Sequence, residues 1–450
     1  MTSKRSFALT LRLLLLAAVA LAAAAAGART ARPSTVTLPP GNTVEQWDKI
    51  AEDTVVGSGA FQNEGFQYMA YEATAVYDAA VSLGHGYKPL MPGFRVWRSA
   101  SPDAAVIEAA YRTLLHSFPA ASGTLGAYYT DALAAIPDGP AKLAGQKIGR
   151  VAADQVIRRR TGDGLQTVAS TSTFPTLTPG PGVWRLTPSA YLVPQTPWVG
   201  DMKPFIMQSA TQFMPGPPPA LSSAEWVAAF NELKAVGGAT STVRTPDETN
   251  VAKFYTANVI RQYNTAVRAL TDARQLSLVD TARLAAMVNV VAADTGITIM
   301  HAKYHYLFWR PVSAIDPTSV SADGFGATPG YDDGNAATTE QSGWRPLITT
   351  PNHPEYPCAH CSLTSAMAQV FAGFLGTDQI NLDLHGFDPN GVAGNLNAVR
   401  HFATVDDLRT EVANARMWGG VHYRFSTVAG LQLGRGVATY DLTHAFGKGS

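Results

Sequence analysis

The sequence predicts an all-α fold, a helical bundle with long Pro/Gly-rich irregular loops. Apolar residues recur every three to four positions in several segments, as expected for helices with one buried face, and convincing strand-like alternation is absent. The clearest helical segments are 66–83, 103–118, 142–160 and 278–309. Because polar residues interrupt the last of these, a buried central helix is favoured over a membrane span.

Two helix starts match the capping-box pattern, in which Ser or Thr is followed three residues later by Glu. Ser222 with Glu225 predicts one start, and Thr245 with Glu248 predicts the other. Pro246 would occupy the first helical position of the second helix, where proline is well tolerated.

The N-terminus has the features of a secretion signal. Lys4, Arg5 and Arg12 precede an apolar stretch, 13–26, and an Ala-x-Ala sequence that ends at Ala28. We therefore expect a removable signal peptide, 1–28, and an exported protein, either secreted or periplasmic. An uncleaved membrane anchor is the alternative. No stable membrane span is expected after removal of the signal, because polar residues interrupt every later segment.

Residues 29–450 are expected to form a single helical domain, with its motif-bearing part at 278–450. Clustered Pro and Gly between 162 and 221 predict a long irregular excursion over the bundle, with a linker between two domains as the alternative. A second irregular stretch is expected at 316–354. The formal net charge of zero argues against a nucleic-acid partner, which would normally require a basic surface.

Three short segments carry the candidate chemistry, and the first contains two cations. Lys303 and Arg310 are seven residues apart, or two helical turns, so they are predicted to project from one face of the long helix. Two cations on an apolar helix are costly to bury without an anion. Pairing with carboxylates elsewhere in the chain is the alternative.

The second segment places a histidine at a predicted helix start. Pro357, Cys358, Ala359 and His360 precede the apolar pattern at 363–375. The free N–H groups and the dipole of a helix N-terminus favour an anion there. His360 could exchange protons with that anion, although a histidine at a helix start can also be structural.

The third segment contains Arg416 and His422, which one continuous helix would place about 120° apart. Gly419 and Gly420 are predicted to break the helix, so that both side chains converge. A guanidinium suits two oxygens of one anion, and a neutral imidazole can be a nucleophile or a ligand.

In chain order the three segments are Lys-x6-Arg-Pro, Pro-x-x-His and Arg-x5-His. This order resembles the signature of the superfamily of type-2 phosphatidic acid phosphatases and vanadium-dependent haloperoxidases. Further similarity at 77–79, 181–184 and 212–213 is typical of its bacterial vanadium haloperoxidase-like branch. The resemblance implies an all-helical fold with the oxyanion site inside the bundle.

The resemblance also implies roles for the candidate residues. In a haloperoxidase, His422 would be the vanadate ligand, His360 would move protons, and vanadium(V) would act as a Lewis acid. The residues that would bind the oxyanion are Lys303, Arg310, Cys358, Ala359 and Arg416. In a phosphatase, which needs no vanadate, His422 would form a phosphohistidine and His360 would protonate the leaving alcohol.

The sequence departs from the family pattern at three positions. Cys358 and Ala359 stand where the family usually has Ser-Gly, and a thiol donates a weaker hydrogen bond than a hydroxyl. Ser426 stands where an aspartate usually follows the second histidine, so orientation of His422 is expected to be weaker. Cys358 and Cys361, the two cysteines of the chain, could form a disulfide that protects against peroxide. A zinc site here is disfavoured because no fourth ligand is indicated.

We expect a vanadate-dependent haloperoxidase-like enzyme that oxidises halide with hydrogen peroxide. One alternative is an acid phosphatase acting on phosphate monoesters. The other is a catalytically impaired oxyanion-binding protein. The sequence leaves the oligomeric state open.

Overall fold

The structure is a computed structural model that describes residues 36–84, 86–91, 99–165, 178, 180–188, 190–319, 332–386 and 398–448. The predicted signal peptide lies outside these residues, as do parts of both predicted irregular stretches. From Leu38 onward the chain forms one unit by its internal contacts.

Thirteen α-helices make up most of the described chain, so the predicted all-α fold is confirmed. They are α1 (Thr43–Gly57), α2 (Gln62–Val81), α3 (Pro102–Ser117), α4 (Ser122–Ala134), α5 (Pro140–Arg160), α6 (Ala224–Gly237), α7 (Pro246–Phe254), α8 (Val259–Arg274), α9 (Leu278–Tyr306), α10 (Pro311–Ile315), α11 (Ala359–Leu375), α12 (Val405–Trp418) and α13 (Arg424–His444). Two short 3-10 helices lie at Pro119–Ala121 and Pro197–Asp201.

One β-hairpin corrects the expectation that strands are absent. β1 (Gln379–His385) pairs antiparallel with β2 (Val399–Thr404). Ile380, Leu382 and Leu384 are buried and alternate with exposed neighbours, which is the period of a strand with one covered face. The run was missed because it is short and follows directly on a helix. The hairpin packs against α8.

One of the two predicted capping boxes is confirmed. At the start of α7, Thr245 N–H donates to Glu248 Oε2 at 2.7 Å, and Glu248 N–H donates to Thr245 Oγ1 at 3.2 Å. The box predicted at Ser222 is wrong by one residue. Ser223 is the N-cap of α6, and its hydroxyl accepts from the backbone N–H of Trp226 at 3.2 Å.

Helix α9 runs through the core, as the apolar pattern from residue 278 predicts. Among the described residues it is the helix long and apolar enough to cross a membrane, but 94% of its most apolar window is buried inside the protein. It packs against α2, α8, α11 and α13. The last turn of this central helix carries Lys303.

Helices α11 and α13 pack with their backbones in close contact. A Cβ atom on Gly434 would lie 1.9 Å from the carbonyl oxygen of Ser362, and one on Gly430 would lie 2.6 Å from that of Cys358. Only glycine permits so close an approach. The contact positions the start of α11, which carries His360.

An aromatic cluster forms a second, smaller core. The Trp226 ring lies 5.0 Å from that of Tyr423 and 5.8 Å from that of Trp309, and Tyr423 stacks on Phe425 at 5.3 Å. Trp309 directly precedes Arg310, and Tyr423 directly follows His422. The cluster therefore packs around the two segments that present these side chains.

The Pro/Gly-rich stretch is irregular where the structure describes it, apart from the 3-10 helix Pro197–Asp201. Its backbone holds the chain just after α9. Trp184 N–H donates to Leu307 O at 2.7 Å, and Trp309 N–H donates to Gly182 O at 3.1 Å. This stretch thereby helps to position the segment that leads to Arg310.

Candidate functional site

The three predicted cations are all buried. Lys303 Nζ donates to the carbonyl oxygens of Pro354 and Glu355, each at 2.8 Å. Arg310 donates from Nε to His353 O and from Nη1 to Val421 O, both at 2.9 Å. These bonds tie α9 and the start of α10 to the loop before α11 and to the loop between α12 and α13.

Arg416 comes from the last turn of α12. Its Nη1 donates to Tyr255 O at 3.0 Å, and its Nε has no hydrogen-bond partner among the described residues. None of the three cations forms an ion pair with a carboxylate within the part of the chain that the structure describes. The structure therefore does not support the alternative of ordinary salt bridges.

The predicted shared helix face of Lys303 and Arg310 is wrong. Helix α9 ends at Tyr306, and Leu307 adopts a left-handed conformation with φ of 47°. Arg310 is the extended N-cap residue of α10, with φ −80° and ψ 152°. Pro311 explains this conformation, because proline disfavours the helical region for the residue before it.

His422 lies in the loop between α12 and α13 and is held by a carboxylate. Its Nδ1 lies 2.8 Å from Glu355 Oε1, which also accepts from Tyr423 N–H at 3.0 Å. On the other side of the ring, His422 Nε2 lies 3.4 Å from Arg310 Nη1. The ring therefore carries its proton on Nδ1 and directs a lone pair on Nε2 towards the cations.

The glycine pair before His422 breaks the helix as predicted. Helix α12 ends at Trp418, and Gly420 has a φ of 77°. A Cβ atom on Gly420 would lie 2.3 Å from Gly237 O, so its position needs glycine for both conformation and space.

His360 lies in the first turn of α11, as predicted. Its Nε2 is buried and has no hydrogen-bond partner among the described residues. Burial lowers the pKa of His360 well below its ordinary value, and Arg416, Lys303 and Arg310 lower it further. The three cations are thus close enough to His360 to act on it electrostatically.

Burial shifts the other titratable groups of the site as well. It lowers the pKa of Lys303 and of His422 well below their ordinary values, and it lowers the pKa of Arg310 to about 10. Burial raises the pKa of Glu355 to about 7, although Lys303 and Arg310 act in the opposite direction. Each shift favours the uncharged form of the group, as expected for titratable groups removed from water.

Cys358 is the N-cap residue of α11, and Ala359 is its first helical residue. Cys361 N–H donates to Cys358 Sγ at 3.3 Å. Both thiols are free, so the disulfide that the sequence left open is not formed in this structure. Burial by itself would raise the pKa of Cys358, but the Cys361 side chain and Arg416 outweigh it, so that the pKa is lowered.

Glu355 is the site residue that the sequence reasoning missed. It is fully buried, and its carboxylate contacts His422. It thereby takes the orienting role for which the family usually has an aspartate at the position of Ser426. Ser426 is also buried and contributes to lowering the pKa of Glu355. The sequence feature that could have identified Glu355 is its position two residues before Pro357, next to a segment that was already assigned to the site.

Among the described residues, no three His, Cys, Asp or Glu side chains are arranged to hold a metal ion directly. His301 and His305 stack 6.4 Å apart on α9, and His301 Nδ1 lies 3.1 Å from Gly200 O. The two rings are separate from the cluster around His422.

Comparison with known proteins identifies relatives of the site-bearing part. A family model described as the VCPO second helical-bundle domain matches residues 283–447. The vanadium chloroperoxidase of Curvularia inaequalis is 28% identical over 288 residues, which are 52% of this chain and 46% of that protein. The chain thus spans about half the length of this curated relative.

Solved structures are similar over nearly the whole chain. A bacterial vanadium-dependent iodoperoxidase aligns with a TM-score of 0.67 and 20% identity, covering 92% of this chain and 99% of the other. The holo form of a bacterial vanadium-dependent chloroperoxidase aligns with a TM-score of 0.65 and 16% identity, covering 91% of this chain and 98% of the other. At these identities the likeness shows the fold.

The domain match, the chloroperoxidase relative and the shared fold agree with the three ordered segments. Residues 283–447 thus match the second helical-bundle domain of vanadium chloroperoxidases, and the chain as a whole has the fold of bacterial vanadium-dependent haloperoxidases.

Proposed function

We propose that the chain is a vanadate-dependent haloperoxidase-like enzyme that oxidises halide with hydrogen peroxide. The observation that carries the proposal is the buried cluster of Lys303, Arg310 and Arg416 around two neutral histidines. Buried cations without carboxylate partners are costly, and an oxyanion is the ligand that would offset this cost.

The residues fit vanadate by the chemistry of their free atoms. Arg416 Nε and His360 Nε2 are buried polar atoms without partners in the described structure. Such atoms are rare in folded proteins and commonly indicate a missing ligand or water. A tetrahedral or trigonal oxyanion could accept from Arg416 and exchange a proton with His360.

Three cations would hold the oxygens of the anion. Lys303 and Arg310 are fixed by bonds to backbone carbonyls, so their positions are set before any ligand arrives. This preorganisation lets them stabilise negative charge without rearrangement. Ala359 would add a backbone N–H at the start of α11, and Cys358 would add a weak S–H donor.

His422 would bind the central atom through Nε2. The Glu355 carboxylate accepts the Nδ1 proton and so keeps the Nε2 lone pair available. Arg310 Nη1 lies 3.4 Å from that lone pair and so would be placed to donate to an oxygen of the ligand. When bound, vanadate would supply a Lewis acid that activates peroxide. His360 would then hold or release the proton exchanged with the substrate.

The Glu355 contact also favours a second candidate function, phosphate monoester hydrolysis. A phosphohistidine mechanism needs an oriented imidazole, and the Ser426 replacement argued against one. Glu355 restores that orientation through its 2.8 Å contact with His422 Nδ1. Phosphate monoester hydrolysis by the same pocket is therefore the second candidate function, with His422 as nucleophile and His360 as the proton donor.

We further propose that the enzyme acts outside the cytoplasm. The support is the charged start, apolar stretch and Ala-x-Ala sequence of residues 1–28. N-terminal sequencing of the protein recovered from an exporting host would test this, with the mature chain expected to begin after Ala28.

One set of assays tests the function. The purified apoprotein is titrated with orthovanadate while its thermal unfolding is followed, and bromide-dependent halogenation of a dye with peroxide is then measured. Phosphate-ester hydrolysis is measured without vanadate. The test variant is His422→Ala. The matched control is His401→Ala, because His401 is exposed on β2 and paired with Asp383.

Halogenation that needs vanadate, disappears in His422→Ala and persists in His401→Ala is the expected result. Hydrolysis that vanadate inhibits would instead establish the phosphatase. Stabilisation by vanadate without turnover in either assay would establish a binding protein. Activity that survives His422→Ala in both assays would refute the assignment of the site.

A further inference from the structure

The two cysteines form a Cys-x-x-Cys motif at the N-terminus of α11. Cys358 is the N-cap residue, Cys361 lies in the first turn, and the N–H of Cys361 donates to Cys358 Sγ at 3.3 Å. In a helical turn, Cα atoms three residues apart are about 5 Å apart. Disulfides span roughly 4.4–6.8 Å between Cα atoms, so the pair can be bridged with only local adjustment.

The two thiols have different surroundings. The Cys358 thiol lies within the electrostatic influence of Arg416 and Lys303, whereas the Cys361 thiol acts as a hydrogen-bond donor to Cys358. Thiolates at helix N-termini and near cations are the more reactive ones, and because both side chains here are fully buried, only a small oxidant would reach them. Gly430 of α13 packs closely against the Cys358 carbonyl oxygen and Cys361 Cβ, and this packing helps to hold both cysteines in place.

We propose that Cys358 and Cys361 are a peroxide-reactive dithiol, in which Cys358 is oxidised first and Cys361 resolves the product to a disulfide. The argument rests on the helix-terminal geometry and on the cations beside Cys358. It does not depend on vanadate binding or on halide oxidation.

The chemistry balances with hydrogen peroxide as the only oxidant. The Cys358 thiol gives up its proton and its sulfur attacks one peroxide oxygen, so that an S–O bond forms, the O–O bond breaks and the leaving hydroxide takes up that proton as one water. The Cys361 thiol then attacks the sulfenic sulfur, so that an S–S bond forms and the hydroxyl leaves as a second water. Two thiols are oxidised, and one peroxide is reduced to two waters.

If the site also oxidises halide as proposed, this reaction would let a thiol persist beside a pocket to which peroxide has access. A sulfenic acid without a partner is oxidised further to sulfinic and sulfonic acids, which are irreversible in most settings. Capture by Cys361 stops this series at a form that a small-molecule dithiol can reduce. The chain has no third cysteine to compete for the intermediate.

The test uses fully reduced full-length protein without vanadate or halide. It is treated with one equivalent of hydrogen peroxide, unfolded, alkylated with iodoacetamide and analysed by intact mass and peptide mapping. The expected result is complete loss of both alkylatable thiols and a single Cys358–Cys361 peptide, with full recovery after dithiothreitol. In Cys361→Ser, a dimedone adduct at residue 358 is expected; in Cys358→Ser, Cys361 should remain alkylatable.

Three results would overturn the proposal. They are two alkylatable thiols in the wild type after a tenfold excess of peroxide, a disulfide between two chains on a non-reducing gel, and oxidation of Cys361 in Cys358→Ser at the wild-type rate. The wild-type measurement is decisive even if a variant fails to fold. Since vanadate and halide are absent, failure here leaves the proposed halide oxidation untouched.

Discussion

Glu355 is the residue on which the orientation of His422 depends. Its Oε1 receives both the Nδ1 proton of His422 and the backbone N–H of Tyr423. One oxygen thus fixes the ring and the loop that carries it. A carboxylate in this position also stabilises positive charge on the imidazole, which matters for a metal ligand and for a nucleophile alike.

Replacing Glu355 with Gln should lower kcat while leaving the packing of the site unchanged. The amide keeps the size of the side chain but loses the negative charge that holds the Nδ1 proton. Partners of this kind typically contribute 10–100-fold to activity or metal affinity, so we expect kcat to fall by roughly that factor. Steady-state kinetics of Glu355→Gln measure it, with the exposed Glu225→Gln as control. An unchanged kcat would show that Glu355 is only structural.

The sequence could predict which side chains make up the candidate site, but not every contact between them. Lys303, Arg310, Arg416, His360 and His422 were identified from three spaced motifs. Glu355 was not, because its role depends on a contact with a residue 67 positions away. The placement of Arg310 on α9 was wrong because spacing alone cannot show where a helix ends.

Helices α11 and α13 show how an element positions the site. Gly430 and Gly434 lie four residues apart on one face of α13, against the backbone of the first turns of α11. The first of these turns presents His360 and the Cys358 thiol. A shift of α11 away from α13 would therefore move His360 relative to the three cations.

Gly434→Ala should destabilise the protein and disturb the site. The new Cβ would lie 1.9 Å from Ser362 O, a backbone atom that cannot turn aside. Overpacking of this kind costs about 1–3 kcal/mol, more than the roughly 1 kcal/mol that alanine gains over glycine in a helix. Urea denaturation measures the free energy of unfolding.

The matched control is Gly126→Ala in α4, where a Cβ would meet nothing within 4 Å. This variant should be stabilised by about 0.5–1 kcal/mol. Equal stability of the two variants would contradict the close packing of α11 on α13.

The presence of a helix was easier to predict from the sequence than the residues at which it begins and ends. The helices predicted at 66–83, 103–118 and 142–160 are present, but they start at Gln62, Pro102 and Pro140, earlier than the apolar pattern suggests. Apolar periodicity reports the buried face, whereas the first turn often carries polar capping residues that the pattern does not include. Short strands such as β1 offer too few periods to be recognised.

Across the whole molecule, a second buried charge cluster joins helices α1, α2 and α8. Asp48 and Glu52 of α1 both pair with Arg268 of α8, and Glu72 of α2 is buried beside Asp48. Burial raises the pKa of Asp48 to about 7, Arg268 opposes this shift, and Glu52 adds to it. Burial also raises the pKa of Glu72 well above its ordinary value, and the neighbouring Asp48 adds to that shift.

Asp48→Asn should change how stability depends on pH. The folded pKa of Asp48 lies above its ordinary value of 3.8. The stability contributed by its bound proton is therefore fully present below pH 3.8 and is lost as pH rises through about 7. Asparagine has no such proton, so the unfolding free energy of wild type minus variant should fall as pH rises from 4 to 8.

The expected fall is a few kcal/mol, from about 1.4 kcal/mol for each unit of pKa shift. Urea denaturation of both proteins at several pH values measures it, with Asp406→Asn as a control for loss of one exposed charge. A constant difference across this range would show that Asp48 is ionised throughout.

The contacts that build the anion site join parts of the chain that are distant in sequence. Arg310 bonds residues 43 and 111 positions away, and Arg416 bonds a carbonyl 161 positions away. Contacts of long sequence separation form late in folding, because large loops must close first. A partly folded chain would thus have most of its helices, but it would lack the contacts that place Arg310 and Arg416 at the candidate site. Binding of an oxyanion would therefore depend on completion of the fold, because only the folded chain brings these side chains together.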